Sequence, residues 1–510
     1  MKILSSYQLL EVDKITLEKQ KIESIELMER AANAFIYQFI KLVKFNGKVI
    51  LLCGKGNNGG DGLAIARLLS QREIDVEVCI LEHSQKESQE FKVNLEKLKT
   101  TPEIQVHTVQ AANQLKSLLE KLPSNSILID AILGIGINKE PKGLLADCIQ
   151  IINQSEKKVI AVDVPSGLQP DTFNIPESKT IIEADITITF QMPKLAFFFP
   201  ENYRFTGDFY CVDIQLDTEA IATPHSDYYL GEKKEMKSLV TPRSKFSHKG
   251  LYGHTLLICG SKGKMGAALL ASKACLRSGT GLLTTHLPHS GNIILQTYLP
   301  EAMTSIDENE DTITSHPKLE PFSSIGIGPG IGIDKLTANC LKSIIQNCSC
   351  PMVIDADAIT ILSQNKTWIS FLPPETILTP HPKEFDRLTG SHTSGYERLQ
   401  TAREFAFKFK LIIVLKGAYT AIIFPDKSVQ FNPSGSPALA KGGTGDVLTG
   451  MICGLLSRGY KPSVAVIIAV YLHGLAGELA AEKTSEESVL AQDVIAKIGK
   501  AFRKIETKKA

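Results

Sequence analysis

The chain has 510 residues, which is enough for two large domains or about three of ordinary size. Hydrophobic residues make up 43% and charged residues 22%, and these values exclude disorder, collagen and coiled coil as descriptions of the whole chain. Lys and Arg number 56 against 55 Asp and Glu, a net charge of +1. No general field attracts nucleic acid or a membrane surface, so we expect neither as a partner, and any bound anion must be held by local groups.

The ten cysteines form no CxxC pair, and only Cys348 and Cys350 lie close together in the sequence. Neither a zinc site nor a disulfide framework is indicated. Reduced thiols are typical of the cytoplasm, which is the expected location. Glu11, Asp13 and Lys14 interrupt the apolar residues near the start, so we do not expect a secretory signal.

Short β-branched runs alternate with helical patterns, which predicts an α/β fold with mainly parallel strands. In the first half we predict a helix over 24–40 and strands over 49–53, 76–80, 127–129, 159–162 and 186–190. The periodicity fades after Asp217. The predicted organisation is therefore a first domain over 1–216, a linker over 217–234 and a second domain over 235–510.

The second half begins again with a strand that runs into a glycine-rich loop. Strands are predicted over 255–259, 282–285, 324–327, 352–354, 377–379 and 411–415, with an extended pair at 421–424 and 428–431. From Asp446 onward the pattern is apolar and helical. Residues 464–481 are apolar enough to resemble a membrane span, but they contain His473 and Glu478, so a buried core helix is the favoured interpretation.

Polar groups follow three strands of the first half. Five glycines occur within 54–62, together with two Asn and one Asp, which favours a phosphate-binding loop over a simple tight turn. Asp130 and Asp163 each end an apolar strand, where a helix cap is an equally good reading of either one alone. Together with Asn58 and Ser166 they offer hard oxygen atoms for a small cation, and the residue types leave K⁺, Na⁺ and Mg²⁺ open.

Five segments in this order, LMERAA, GKGNNGGDGLAIAR, DAILGIG, VDVPSG and MPKLAFFFPE, resemble the YjeF N-terminal domain family, the NAD(P)H-hydrate epimerases. The resemblance implies a Rossmann-like, three-layer fold and a K⁺ ion held by Asn58, Asp130 and Ser166. The implied substrate contacts are Asn57, Asn58, Gly59, Gly60, Asp61, Gly134, Ile135, Gly136, Ile137, Asn138, Lys139, Glu140 and Asp163. This sequence has Lys139 near a position where the family usually has Arg, so a bidentate phosphate contact is lost there.

Epimerisation requires that the hydroxyl on the ring carbon next to nitrogen leave and return. An Asp at a strand end suits the proton transfers, and Asp163 is the predicted catalytic residue. Lys194 could assist it, although an exposed structural lysine is the favoured interpretation.

The most informative stretch of the second half is KGGTGDVLTG, residues 441–450. A Gly-Gly-Thr-Gly turn that opens an apolar helix directs several backbone amides at one point, where phosphoryl charge can be stabilised. Asp446, directly after the turn, could cap the helix or accept a proton from an attacking hydroxyl, and the glycine context favours the base.

With GPGIG, DADAI, TPHPKEF and LKGAYT, this stretch resembles the ribokinase-like superfamily and, within it, the YjeF C-terminal domain, the NAD(P)H-hydrate dehydratases. The resemblance implies a ribokinase-like α/β fold, ADP as co-substrate with Mg²⁺, and AMP and phosphate as products. The implied substrate contacts are Ala267, Gly330, His381 and Asp446, and the implied nucleotide contacts are Lys416, Gly417, Ala418, Tyr419, Thr420 and Gly445.

The sequence therefore predicts a bifunctional repair enzyme that epimerises the hydrates of NADH and NADPH and dehydrates the S form. A homo-oligomer is also expected. The alternative is a ribokinase-type small-molecule kinase whose first half is a non-catalytic interaction domain. The kinase predicts a stable phosphorylated product, and it leaves Asn58, Asp130, Asp163 and Ser166 unexplained.

Overall fold

The computed structural model describes residues 1–44, 47–137, 139–172 and 178–506. The chain forms two compact units, which we call the N-terminal unit (2–226 with 394–396) and the C-terminal unit (1, 227–393 and 397–510). Residues 217–234, predicted as a linker, are divided between the two units. A short helix over Thr218–Ala222 lies in the first unit, and a strand over Tyr228–Leu230 lies in the second.

The N-terminal unit alternates strands and helices along the chain. Its strands are β1 (Val49–Cys53), β2 (Val76–Leu81), β3 (Gln105–Val109), β4 (Ile127–Ala131), β5 (Lys158–Val162), β6 (Ile186–Phe190) and β7 (Asp208–Val212). Its helices are α1 (Ser6–Gln20), α2 (Ser24–Leu42), α3 (Asn57–Ser70), α4 (Gln89–Lys99), α5 (Ala112–Lys121), α6 (Leu144–Asn153), α7 (Tyr203–Thr206) and α8 (Thr218–Ala222).

The sheet of this unit is parallel throughout, in the order β3-β2-β1-β4-β5-β6-β7. One hydrophobic cluster fills the face covered by α2 and α3, and a second fills the face covered by α5 and α6, so the unit has three layers. The strand order reverses between β1 and β4. In open parallel sheets, ligands bind outside the carboxyl ends of the strands at such a point.

The C-terminal unit begins with β8. Its strands are β8 (Tyr228–Leu230), β9 (His254–Ile258), β10 (Leu282–Leu287), β11 (Met303–Ile306), β12 (Ser324–Ile327), β13 (Met352–Ile354), β14 (Ile377–Leu378), β15 (Ile412–Leu415), β16 (Ala421–Ile423) and β17 (Val429–Phe431). Its helices are α9 (Lys233–Leu239), α10 (Met265–Arg277), α11 (Gly291–Tyr298), α12 (Lys335–Asn347), α13 (Ala356–Gln364), α14 (Pro382–Thr389), α15 (Gly395–Phe409), α16 (Thr444–Ser457), α17 (Pro462–Ala481) and α18 (Ala491–Ile505).

Ten strands form the second sheet, in the order β11-β10-β9-β12-β13-β14-β15-β16-β17-β8. The pairs that β16 makes with β15 and β17 are antiparallel, and the others are parallel. Helices α10, α16, α17 and α18 contribute to one large hydrophobic core. Helix α17 is long and apolar enough to cross a membrane by length and composition, and 72% of its most apolar window is buried within the protein, as in a core helix.

The α/β class predicted from the sequence is confirmed, and the predicted strands agree with the observed ones to within two residues. Four strands were not predicted, namely β3, β7, β8 and β11. Each lies at an edge of its sheet. Their side chains are mostly half-buried or exposed, so they lack the continuous apolar run of a buried parallel strand.

Two candidate active sites at strand ends

A cavity of about 750 Å³ lies in the N-terminal unit at the carboxyl ends of the central strands. Its walls come from the residues after β1, β2, β4 and β5 and from the end of β6. The cavity therefore occupies the point between β1 and β4 where the strand order reverses, which is the expected position of a ligand site in this topology.

The glycine-rich segment after β1 is the first turn of a helix rather than an open loop, because α3 begins at Asn57. A Cβ atom on Gly59 would lie 1.8 Å from the carbonyl oxygen of Gly54, and one on Gly60 would lie 3.1 Å from the Met28 side chain. Only glycine fits at position 59. The close approach brings the amino-terminal end of α3, with its partial positive charge, to the cavity.

Most of the predicted substrate contacts of this unit line the cavity. They are Asn57, Asn58, Asp61, Gly134, Ile135, Gly136, Ile137, Lys139, Glu140 and Asp163. Gly59 and Gly60 are buried in the first turn of α3, and Asn138 lies outside the described residues. The structure thus gathers segments far apart in the chain around one space, and their role as substrate contacts stays a prediction.

The three predicted K⁺ ligands lie in one hydrogen-bonded cluster. The Ser166 hydroxyl donates to Asp130 Oδ1 at 2.6 Å, and the Ser166 amide donates to Asp130 Oδ2 at 2.7 Å. The Asn58 side chain donates to the carbonyl oxygen of Leu133 at 2.8 Å, and the Leu133 amide donates to Ser166 Oγ at 2.8 Å. Burial raises the pKa of Asp130 to about 6, and the Ser166 hydrogen bonds oppose the shift.

Asp163 directly follows β5 with φ at +65°, in the left-handed region that residues other than glycine rarely adopt. Its Oδ1 atom accepts three hydrogen bonds, from Lys194 Nζ at 2.6 Å, from Thr189 Oγ1 at 3.0 Å and from the Phe190 amide at 2.9 Å. Such backbone strain clusters at functional sites, where the surroundings enforce it. The bonds to Oδ1 leave Oδ2 as the atom available to a ligand in the cavity.

The expectation of an exposed Lys194 is wrong, because this side chain is 2% exposed. Its ammonium group donates to Asp163, to Thr189 Oγ1 at 2.8 Å and to the carbonyl oxygen of Met192 at 3.2 Å. A buried ammonium needs such partners because desolvation is costly. The signal that could have shown this is the apolar run LAFFF that follows Lys194 directly.

Two further carboxylates, Asp13 on α1 and Asp61 on α3, line the same cavity. Burial, with the negative charge of Asp163, raises the pKa of Asp13 to about 7. Burial also raises the pKa of Asp61 well above its ordinary value, and the charges of Asp163 and Asp13 add to the shift. Nothing in the local sequence indicates that Asp13 lies here, since it precedes Asp163 by some 150 positions.

Asp355, directly after β13, connects two other segments of the candidate site in the C-terminal unit. Its carboxylate is 1% exposed and accepts hydrogen bonds from Lys416 Nζ at 2.8 Å and from Thr449 Oγ1 at 2.7 Å. A Cβ atom on Gly445 would lie 3.2 Å from Lys416 Nζ and 3.9 Å from Asp355 Oδ2. Glycine at position 445 therefore leaves room for the Lys416 ammonium beside the start of α16.

Helix α16 begins at Thr444, preceded by Gly443 with φ at +91°, a conformation that favours glycine. The first amides of a helix have no acceptor within it, so this turn is suited to hold an anion. Asp446 sits in this first turn. Burial and the charge of Asp355 raise its pKa to about 7, and Lys416 opposes the shift.

The loops after β9 and β12 meet beside this turn. A Cβ atom on Gly330, whose φ is +65°, would lie 3.1 Å from the Cβ of Ala267, so the structure brings these two predicted substrate contacts together. His381 caps α14, with its Nδ1 accepting from the Glu384 amide at 3.2 Å. Its side chain is 46% exposed, and its Nε2 lies 3.5 Å from Glu384 Oε1.

The predicted nucleotide contacts after β15 form a turn. The Thr420 hydroxyl donates to the carbonyl oxygen of Gly417 at 3.1 Å. Gly417 and Ala418 are exposed, and the next two residues, Tyr419 and Thr420, are half-buried. Lys416 links this turn to Asp355 and to the start of α16.

Comparisons with known proteins agree with the two-unit division. The family model described as NAD(P)H-hydrate dehydratase matches residues 255–500, and the model described as YjeF-related protein N-terminus matches residues 24–196. The bifunctional NAD(P)H-hydrate repair enzyme Nnr of Moorella thermoacetica is 33% identical over 519 residues, covering 99% of this chain and 97% of that protein. The protein of the same name from Escherichia coli is 30% identical over 449 residues, covering 87% and 83%.

Among solved structures, the ADP/ATP-dependent NAD(P)H-hydrate dehydratase from Bacillus subtilis, co-crystallised with ATP/Mg²⁺, is 33% identical, covers 55% of this chain and 99% of its own, and has a TM-score of 0.48.

The fold and the two matched models define a two-domain enzyme in which a YjeF-type N-terminal domain precedes a dehydratase domain. Near-complete coverage at this identity then settles the family. The chain belongs to the bifunctional NAD(P)H-hydrate repair enzymes, which join an NAD(P)H-hydrate epimerase to an NAD(P)H-hydrate dehydratase. The identification made from the sequence motifs is confirmed.

Proposed function

We propose that the N-terminal unit interconverts the R and S hydrates of NADH and NADPH in the cavity that holds Asp163. The C-terminal unit then dehydrates the S form with ADP, giving AMP and phosphate. The observation that carries the second activity is the first turn of α16, where Asp446 directly follows Gly445, whose Cβ position lies 3.2 Å from Lys416 Nζ. We also propose that the protein is a homo-oligomer of the cytoplasm. Light scattering measures the number of chains in the assembly.

In the dehydratase site, Asp446 accepts the proton of the ring hydroxyl as that oxygen attacks the terminal phosphoryl group of the nucleotide. A base whose pKa lies near the working pH suits this transfer. The amides of the first turn of α16, from Gly443 to Gly445, stabilise the charge on the transferring group. Phosphorylation converts hydroxide into a good leaving group, and the lone pair of the ring nitrogen then expels phosphate to give an iminium ion. Loss of a proton from the neighbouring ring carbon to solvent restores the carbon–carbon double bond and gives NADH or NADPH.

The remaining groups of this site hold the two ligands. Lys416, fixed by Asp355, supplies the fixed positive charge beside the start of α16, and the turn that ends at Thr420 holds the adenine nucleotide. Ala267, Gly330 and His381 contact the hydrated nicotinamide. The carboxylates of Asp446 and Asp355 are oxygen donors of the kind that suits Mg²⁺, which neutralises nucleotide phosphates when bound.

In the epimerase cavity, Asp163 handles the proton of the ring hydroxyl. Its Oδ1 atom is occupied by Lys194, Thr189 and the Phe190 amide, so Oδ2 is the proton-accepting atom. The ammonium of Lys194, buried beside it, pairs with the carboxylate at 2.6 Å and fixes its orientation.

The donor set at Asn58, Asp130 and Ser166 fits K⁺. It offers carboxylate, hydroxyl and amide oxygens, and Asp130 is buried with no cationic side chain within ion-pair distance in the described part of the chain. Bound K⁺ would neutralise Asp130 and fix the loop after β4 against Asn58.

Two variants, each serving as the control for the other, test the assignment. Asp446→Ala should abolish formation of NADH from the S hydrate while exchange between R and S continues. Asp163→Ala should abolish exchange while the S hydrate is still converted to NADH. Retained dehydration in Asp446→Ala, or release of a stable phosphorylated hydrate by the unsubstituted protein, would contradict the proposal and favour a kinase.

A further inference from the structure

Three aspartates from separate segments of the N-terminal unit line its cavity. Asp13, Asp61 and Asp163 come from α1, α3 and the loop after β5, and all three line the cavity. Lys194 pairs with Asp163 at 2.6 Å. Within the described residues, neither Asp13 nor Asp61 is part of an ion pair, and no hydrogen bond to either side chain is found.

Position on α1 explains why Asp13 faces the cavity. Leu9 and Val12 of this helix are buried in the core of the unit, while Leu10 and Asp13, one turn apart, line the cavity. The side chain of Glu11, between them, is exposed to solvent. The helix therefore presents one carboxylate to the cavity and another to water.

Epimerisation needs two proton-handling groups. The hydroxyl leaves more readily when its oxygen gains a proton, and the water that adds to the opposite face of the planar ring must lose one. A single carboxylate cannot donate a proton on one face of the ring and accept one on the opposite face. The second group must carry a proton at neutral pH and must come from another element of the cavity wall.

We propose that Asp13 is a second catalytic residue of the epimerase, the protonated carboxyl that donates to the departing hydroxyl while Asp163 acts as the base. This inference rests on the function proposed above for the N-terminal unit. The proton of Asp13 moves to the hydroxyl oxygen, the bond from ring carbon to oxygen breaks, and water leaves as the ring nitrogen lone pair forms the carbon–nitrogen double bond.

In the second half of the reaction, a water oxygen bonds to the same carbon from the opposite face and its proton passes to Asp163 Oδ2. Return of that proton to Asp13 completes the cycle, with no net change in protons or electrons. In the reverse direction the two residues exchange roles. The position of Asp13 supports the assignment, because burial and the like charge of Asp163 both favour retention of a proton on its carboxyl.

The charges of Asp163 and Lys194 shift the pKa of Asp13, and the charge of Asp13 in turn raises the pKa of Asp61. The charge of Glu90, on α4, also raises the pKa of Asp61. Burial and Asp163 raise the pKa of Asp13 to about 7, opposed by Lys194. The carboxyl therefore loses its proton as the pH rises through about 7, and the rate of epimerisation should fall over the same range.

The test compares the full-length protein with Asp13→Asn, Asp13→Glu and, as a matched control on the same helix, Glu11→Gln. Exchange between the R and S hydrates of NADH is measured from pH 6 to pH 9, with the uncatalysed rate subtracted. Asp13→Asn should lower the rate by about 100- to 10,000-fold and remove its alkaline decline. Asp13→Glu should keep part of the rate and the decline, and Glu11→Gln should match the unsubstituted protein.

Two further readouts separate the possible outcomes. Dehydration of the S hydrate should be unchanged in every variant, which shows that the C-terminal unit is folded, and the rate kept by Asp13→Glu shows that the N-terminal unit is folded. Exchange in heavy-oxygen water should label the hydrate at the rate of epimerisation. A full rate in Asp13→Asn, or an alkaline decline that persists in it, would overturn the role of Asp13. Absence of exchange in the unsubstituted protein would instead overturn the proposed function of the unit.

Discussion

The substitution Asp446→Asn tests the dehydratase site through both activity and stability. It removes the charge and the basic oxygen with almost no change of shape. Burial and Asp355 raise the pKa of Asp446 from 3.8 to about 7, and the charged form is therefore disfavoured in the folded protein. Each pKa unit corresponds to about 1.4 kcal/mol, so the charged carboxylate lowers the free energy of unfolding by about 4 kcal/mol at pH 8.

The sign of the pH dependence follows from the raised pKa. Between pH 4 and pH 7 the folded state binds more protons at this site than the unfolded state does, so stability falls as the pH rises through this range. At pH 5 the raised pKa lowers the free energy of unfolding by about 2 kcal/mol. The stabilisation gained by Asp446→Asn should therefore grow by about 2 to 3 kcal/mol from pH 5 to pH 8.

Calorimetric unfolding of the C-terminal unit at the two pH values measures the stability, and NADH absorbance with the S hydrate and ADP measures dehydration. We expect a loss of rate of about 100-fold or more together with the pH-dependent stabilisation. Retained dehydration would show that Asp446 is not the base. A stabilisation that does not change with pH would refute the argument that burial and Asp355 hold a proton on this carboxyl.

Three further predictions concern the surrounding groups. Lys194→Met should leave its buried carboxylate partner uncompensated, lower the stability of the N-terminal unit by about 3 to 5 kcal/mol and stop epimer exchange, with S-hydrate dehydration as the internal control. Added K⁺ at 100 times its dissociation constant should raise the stability of that unit by about 2.7 kcal/mol in calorimetry, and an unchanged response in Asp130→Ala would argue against the cation site. Gly445→Ala places a Cβ 3.2 Å from Lys416 Nζ and should lower kcat/KM for ADP, whereas Gly442→Ala, which meets no atom within 4 Å, should not.

The central strands could be predicted because they are buried on both faces and appear as continuous apolar runs. The edge strands β3, β7, β8 and β11 could not be predicted in the same way, since most of their residues are half-buried or exposed. Asp130, Asp163 and Asp446 were recognisable from their places beside strands and glycine turns. Local sequence carries such signals because parallel strands put their ligand-binding residues at the same end.

Partnerships between distant residues were not predictable from local pattern. The pairs Lys194 with Asp163 and Lys416 with Asp355 join different strand ends, and only the order of strands in the sheet brings them together. Asp13 is the clearest case, because a charged residue on an amphipathic helix is usually solvated. Its raised pKa arises from burial and from Asp163, a residue on another element.

The central claim is that two sites in one chain repair both hydrate epimers. The most direct measurement is the total NADH formed when the protein is given a known mixture of R and S hydrates with excess ADP. Because the N-terminal unit converts R into S while the C-terminal unit removes S, we predict that the absorbance of all the NADH is restored, faster than uncatalysed exchange allows. Rapid recovery of the S fraction alone would contradict the account.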